Sequence, residues 1–164
     1  MNDDFPPTER LQDDRITLWG LFLEVHDVLI RRIGRELQDE VGIPGPWMEV
    51  LLRIGRTPGQ AVRMTQLAEM VLFTSGGFTK LADRMVAAGL IRREPCPGDR
   101  RSHLATLTPE GHRVLDCALA VHLPSLQRHL IDNLDTEQRE QLEAILRALR
   151  DRLAGRDGLP AHDA

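Results

Sequence analysis

Thr74-Ser75-Gly76-Gly77-Phe78-Thr79-Lys80-Leu81-Ala82-Asp83-Arg84-Met85-Val86-Ala87-Ala88-Gly89 is the stretch whose reading decides the fold. A helical period collects Phe78, Leu81, Ala82 and Met85 on one face and leaves Ser75, Gly76, Thr79, Lys80, Asp83 and Arg84 on the other. Thr74 reads as the N-cap and Gly89 as the C-terminal stop. Just upstream, Thr65 reads as the cap of a short helix through Leu67, Ala68, Val71 and Leu72. Two short helices a few residues apart, the second with a hydroxyl-rich and cationic outer face, spell a helix-turn-helix.

Downstream, Leu90 to Glu94 and Ser102 to Leu107 read as two short strands around Pro95-Cys96-Pro97-Gly98-Asp99-Arg100-Arg101, a hairpin with a rigid basic tip. Thr108-Pro109-Glu110 then opens a fifth helix toward Ile131, with Pro124 bending it rather than dividing it. Asp135 with Gln138 three residues on opens a sixth, carrying Leu142, Ile145, Leu146, Leu149 and Leu153. Upstream, Leu18, Leu21, Phe22, Val25, Val28, Leu29, Ile33 and Leu37 form one stripe on a long first helix from about Asp13 to Val41. Pro46 suits the first turn of a second, with Trp47, Val50, Leu51 and Ile54 on its inner face.

The expected fold is therefore mainly α with a small β-hairpin wing: a winged helix-turn-helix of six helices. Residues 45–108 form the winged unit and residues 13–44 and 109–154 a helical region. Residues 1–12 and 155–164 are expected to be a disordered arm and tail. A winged unit of this size cannot cover the stripes of the first, fifth and sixth helices, so dimerisation through the terminal helices is expected.

Composition narrows the function. The 164-residue chain carries a net charge of -4, yet residues 63–113 hold eight basic against five acidic residues while the remainder is acidic. A basic middle between acidic flanks suits a protein that touches a polyanion with one surface. The acidic start and the lack of an apolar run near the roughly 18 residues a span requires predict neither export nor membrane insertion. Two cysteines without C-x-x-C spacing point to a reducing cytoplasm and away from a disulfide framework or structural zinc. No nucleophile-base set, phosphate loop or paired carboxylates appear, so an enzyme is not expected, nor a cofactor. His103, His112, His122 and His129 lack an i, i+4 pair and read as scattered rather than metal-binding.

The order and spacing of Leu67-Ala68, Thr74 to Arg84, Gly89-Leu90-Ile91, Asp99-Arg100-Arg101 and Leu107-Thr108-Pro109-Glu110-Gly111 resemble the MarR (multiple antibiotic resistance regulator) family of winged-helix transcription factors. The resemblance implies a homodimeric regulator, a repressor in the leading reading, on a pseudo-palindromic operator in double-stranded DNA. The second short helix would lie in the major groove and the wing tip near the minor groove. It also implies release by a small effector, phenolic or aromatic. By the family pattern Asp-x-Arg, Arg101 is the favoured groove residue, with Asp99 orienting it.

The DNA-binding candidates are Thr74, Ser75, Gly76, Gly77, Thr79, Lys80, Arg84, Arg100 and Arg101, whose hydroxyls, amides and cations suit phosphates and base edges. Gly76 and Gly77 admit two readings, close approach of phosphate or a tight helix crossing. Asp83 cannot face phosphate unpaired and calls for an arginine partner, the wing being one source. Trp19, Phe22, His26, Trp47 and Leu51 are candidate linings of an effector pocket, with plain core as the competing reading. Cys96, between two prolines beside arginines, offers a thiol-based redox sensor as an alternative, although the redox-sensing members place the reactive cysteine in a first helix that here has none. Cys117 reads as a small buried residue. A winged-helix dimer acting as a protein-interaction module without operator binding is the other alternative; Lys80, Arg84 and Arg101 speak against it.

Overall fold

The computed structural model describes residues 11–71 and 75–157. The elements run α1 (Asp14–Val41), α2 (Gly45–Arg56), β1 (Ala61–Arg63), α3 (Met64–Met70), α4 (Ser75–Ala87), β2 (Ile91–Cys96), β3 (Asp99–Leu107), α5 (Pro109–His129) and α6 (Thr136–Asp157). Short 3-10 turns stand at Pro58–Gln60 and Ile131–Asn133. Among the described residues six helices and a winged hairpin agree with the sequence reading, α6 reaches Asp157, three residues past the expected end, and residues 1–10 and 158–164 of the expected arm and tail lie outside the described residues.

Most helix ends follow the local chemistry. Asp13 caps α1 by accepting from the Arg15 backbone N–H at 2.9 Å, and Gly42, at φ 77°, closes it through its N–H to the Gln38 carbonyl. Asp135 and Gln138 cap α6 reciprocally, each accepting the other's backbone N–H at 2.8 and 2.9 Å. α5 runs through Pro124 as one helix. Thr65 is not the expected cap: α3 begins at Met64 behind Arg63, which makes no side-chain cap bond. The reason is a strand the sequence reading lacked. β1 pairs antiparallel with β3 (Val62 opposite Ala105) and delivers the chain straight into the helix. Three residues are too short for alternation to show.

The sheet has the order β1-β3-β2, and β2 pairs with β3 from Ile91 opposite Leu107 to Cys96 opposite Asp99. One face of it packs with Val50, Leu51 and Ile54 of α2, Leu67 of α3, Phe78, Leu81, Ala82 and Met85 of α4, and Val114, Leu115 and Ala118 of α5 in a single core. Ile33 and Leu37 bring in the C-terminal half of α1. Leu29 is partly buried against this core, while the N-terminal part of the α1 face stays outside: Leu18, Trp19, Leu21, Phe22 and Val25 are exposed, Trp19 to 60%. Ile145, Leu146, Leu149 and Leu153 on α6 are exposed as well.

The winged lobe joins the long helices at one crowded junction. α4 ends with the Leu90 N–H bonded to the Met85 carbonyl and Gly89 at φ 72°. The Thr108 N–H then returns to the Leu90 carbonyl at 3.1 Å. The Thr108 hydroxyl donates to the Gly89 carbonyl and accepts the Gly111 N–H at 2.9 Å, capping α5. A Cβ on Gly111 would stand 1.9 Å from the Leu90 carbonyl oxygen, so only glycine fits. Gly111→Ala is expected to lower the unfolding free energy by about 1–3 kcal/mol. Gly76→Ala, whose Cβ meets nothing within 4 Å, should change it by no more than about 1 kcal/mol. Chemical denaturation of both variants checks this, and equal losses would remove the packing argument.

A second tie links α1 to α5. Glu36 accepts from Arg128 and from His129 Nε2, both at 2.7 Å, while the buried Ser125 hydroxyl faces the carboxylate without a well-aligned hydrogen bond. Ser125 first, then His129 and Arg128, hold the Glu36 carboxyl down at about 2 against an ordinary 4.5. A carboxylate lowered by folding stabilises above its unfolded value, and that contribution is lost as pH falls through the folded one. Wild-type stability should therefore decline between pH 4.5 and about 2 more steeply than that of Glu36→Gln. Acid denaturation followed by circular dichroism reads the difference.

Candidate nucleic-acid interface

α4 is 13 residues long, about 20 Å at 1.5 Å per residue, a rod of the dimensions that enter a major groove. Phe78, Ala82 and Met85 are buried, with 3% exposure or less, which fixes which way the helix faces. Gly76, Thr79, Lys80, Asp83 and Arg84 are left exposed and Gly77 partly so. Thr74 lies outside the described residues, as does the side chain of Ser75. Nothing described lies within 4 Å of a Cβ built on Gly76, so the crossing of α3 and α4 does not require glycine there.

Asp83 finds its arginine on the wing: Arg93 Nη2 of β2 stands 2.7 Å from its carboxylate. Arg93 was missed in the sequence, although strand alternation places it on the same side of β2 as the buried Ile91, toward α4. Arg84 lies over the Trp47 ring of α2 at 5.9 Å, a cation-π contact that ties the far end of α4 to the second helix. That contact was also missed, because residues 37 apart carry no spacing signal.

The wing differs from the expected rigid tip. Pairing continues to Cys96 opposite Asp99, leaving a two-residue turn at Pro97-Gly98 with Gly98 at φ 82°. Between His103, opposite Pro95, and Asp99, opposite Cys96, β3 carries Arg100, Arg101 and Ser102 through a register shift. Such bulges re-aim side chains. The side chains of Arg100 and Arg101 themselves lie outside the described residues. Asp99 accepts from the Ser102 hydroxyl at 2.6 Å and stands 3.8 Å from Arg63 Nη1 of β1.

The five candidate pocket residues are not gathered. Trp19 and Phe22 stack on each other at 5.9 Å on the exposed face of α1, and His26 is exposed beyond them. Trp47 is half-buried under Arg84, and Leu51 is fully buried in the core. Trp47 Nε1 of α2 and His122 Nδ1 of α5 are buried without a hydrogen-bond partner among the described residues. Burial pulls the His122 imidazole below its ordinary value, with Glu49 of α2 opposing.

Both cysteine readings are reversed. Cys96 ends β2 on its inward side and is buried, with Sγ 3.8 Å from the Pro97 carbonyl, whereas Cys117 is exposed on α5. An inward strand terminus removes the exposure that a redox-sensing thiol needs. Among the described residues no three His, Cys, Asp or Glu side chains gather in a way that would hold a metal ion.

The fold and its exposed helix define a winged-helix protein, and comparison with known proteins gives the family. The MarR family model matches residues 41–102. The crystal structure of AbsC, a MarR family transcriptional regulator from Streptomyces coelicolor, is 30% identical with a TM-score of 0.78, covering 88% of this chain and 97% of that one. Sco3205, a MarR family transcriptional regulator from the same organism solved in complex with DNA, is 30% identical with a TM-score of 0.76, covering 84% and 89%. The regulator PecS of Dickeya dadantii is 29% identical over 86 residues, a match covering 52% of this chain and about half of PecS, 51%. The chain belongs to the MarR family.

Slow alkylation of Cys96 in the folded protein, becoming fast on unfolding, is the expected behaviour and is read by peptide mass. Rapid native labelling would restore the thiol sensor.

Proposed function

We propose that the chain is a homodimeric transcriptional repressor, without catalytic activity, that binds a pseudo-palindromic operator in the cytoplasm and is released by a small aromatic or phenolic effector. The observation that carries the reading is α4: its apolar side is locked into the core while Gly76, Thr79, Lys80 and Arg84 face outward beside a wing bearing Arg100 and Arg101. α4 supplies base-edge and phosphate contacts, and the wing arginines, Arg101 foremost, approach the minor groove. Residues 45–108 form the DNA-binding unit. The complex of Sco3205 with DNA supports the assignment.

The dimer rests on the uncovered stripes of α1 and α6. A groove of about 750 Å³ runs between α6 and the turn after α5, floored by Leu130, Ile131, Leu134, Leu142 and Leu146 and edged by Arg139 and Arg147. The apolar α1 end of a second copy complements that groove in hydropathy, while the charged rim is mixed, with Glu140 and Glu143 beside Arg139 and Arg147, the last already paired with Glu143. For the effector, the orphaned Trp47 Nε1 and His122 Nδ1 on the packed helices α2 and α5 are the polar groups a ligand between lobe and long helices would engage.

DNA fragments from the chain's own upstream region, footprinted with excess competitor, test the reading. Protection of a palindromic site is expected, with Arg101→Ala weakening it by about 1–3 kcal/mol and log affinity falling with log salt at a slope of about 0.9 per phosphate neutralised. Leu146→Glu should yield monomer in sedimentation and lose the palindromic footprint. A folded dimer with no DNA preference anywhere in the genome would favour the interaction-module reading.

A further inference from the structure

A smaller cleft of about 320 Å³ opens between the start of α3, the outer face of α4 and the wing, lined by Met64, Thr65, Thr79, Arg93, Ser102 and His103. Five of the six are polar, and none is a carboxylate. The carboxylates nearby are already engaged: Asp83 of α4 with Arg93, and Asp99 of β3 with the Ser102 hydroxyl and, at 3.8 Å, Arg63 of β1. Glu94 of β2 is paired with Arg92. Each negative group beside the cleft is thus matched, Asp83 by the lining Arg93 itself and Asp99 by the lining Ser102 hydroxyl and Arg63, which leaves the rim without net negative charge. Its location is also telling, because a duplex lying along α4 with the wing alongside must pass its backbone over this gap.

Resting on the DNA-binding reading above, we propose that the cleft seats a backbone phosphate of bound duplex DNA, and that His103 is the proton-dependent donor to it. The hydroxyls of Thr65 and Thr79 and the guanidinium of Arg93 form the fixed part of the cradle, as such groups do on phosphates. His103 is exposed on β3 opposite Pro95, at the mouth of the cleft. Histidine is the side chain that gains charge as pH falls through the range from 8 to 5, and an imidazolium beside a phosphate both donates and neutralises. The charged groups near it are Arg63 and Arg93, the paired Arg92 and Glu94 of β2 and the engaged Asp83 and Asp99; α3 contributes no titratable group to the lining. The sign follows: DNA binding tightens as pH falls.

The test measures affinity for the protected duplex and for a scrambled duplex of equal length, at about pH 5.5 and about pH 8, in wild type and His103→Gln. Wild type should bind both duplexes about tenfold more tightly per cleft at the lower pH, the scale of one charge-assisted contact, because a phosphate contact carries no sequence. Its salt slope should steepen there by about 0.9 per cleft. His103→Gln should bind with a nearly flat pH profile and an unchanged slope, its fold and dimer verified at both pH values. Wild-type binding that ignores pH, or a pH effect that survives in His103→Gln, overturns the cleft while leaving the regulator intact. Absence of DNA binding at either pH overturns both.

Discussion

One hydroxyl holds the architecture together. Thr108 donates to the Gly89 carbonyl just past α4 and accepts the Gly111 N–H in the first turn of α5, so one residue closes one element and opens the next. Gly111 lets α5 press against the Leu90 backbone closely enough for that exchange. The orientation of α4 relative to the long helices is then set by a cluster of side-chain and backbone hydrogen bonds at a partly buried corner rather than by isolated surface pairs, which contribute little each. Arg93 with Asp83 and Arg84 over Trp47 refine that orientation from two sides.

The division of apolar surface follows from the same corner. Everything within reach of it, from Ile33 to Ala118, is packed into one core. What projects beyond it, the first half of α1 and the length of α6, keeps its leucines and aromatics in solvent. Large apolar stripes of this kind are interaction surfaces as a rule. The winged lobe thus shares its core with the C-terminal half of α1 and with α5, while the first half of α1 and much of α6 present uncovered apolar surface.

The sequence made the fold legible wherever a local rule was strong. Caps at Thr108 and Asp135, the Gly89 stop and the inner face of α4 stand where periodicity and capping place them, and α1 begins near Asp13 as its stripe suggests. Failures cluster where partners are distant. β1 exists because three residues meet β3, and its presence moved the start of α3 away from Thr65. Cys96 is buried because the register shift at Pro95/Cys96 breaks the strand alternation at the end of β2, which no local spacing announces, and Cys117 stands on an exposed side of α5. At the interface, the polar face of α4 was readable, but the Arg93 and Trp47 supports and the gathering of Thr65, Thr79 and His103 arise only from folding.

Lys80 is the only lysine in the chain, among 21 basic residues, and it stands exposed on α4. Guanidiniums resist acylation, so amine-directed chemistry has a single side-chain address here, on the helix that faces outward beside the wing. Acylation at that one point removes a positive charge from the α4 surface without touching the core or the ion pairs that hold the helix in place. The arginine-rich composition thereby makes this surface separately adjustable, and gives a means of attaching a single reporter to it.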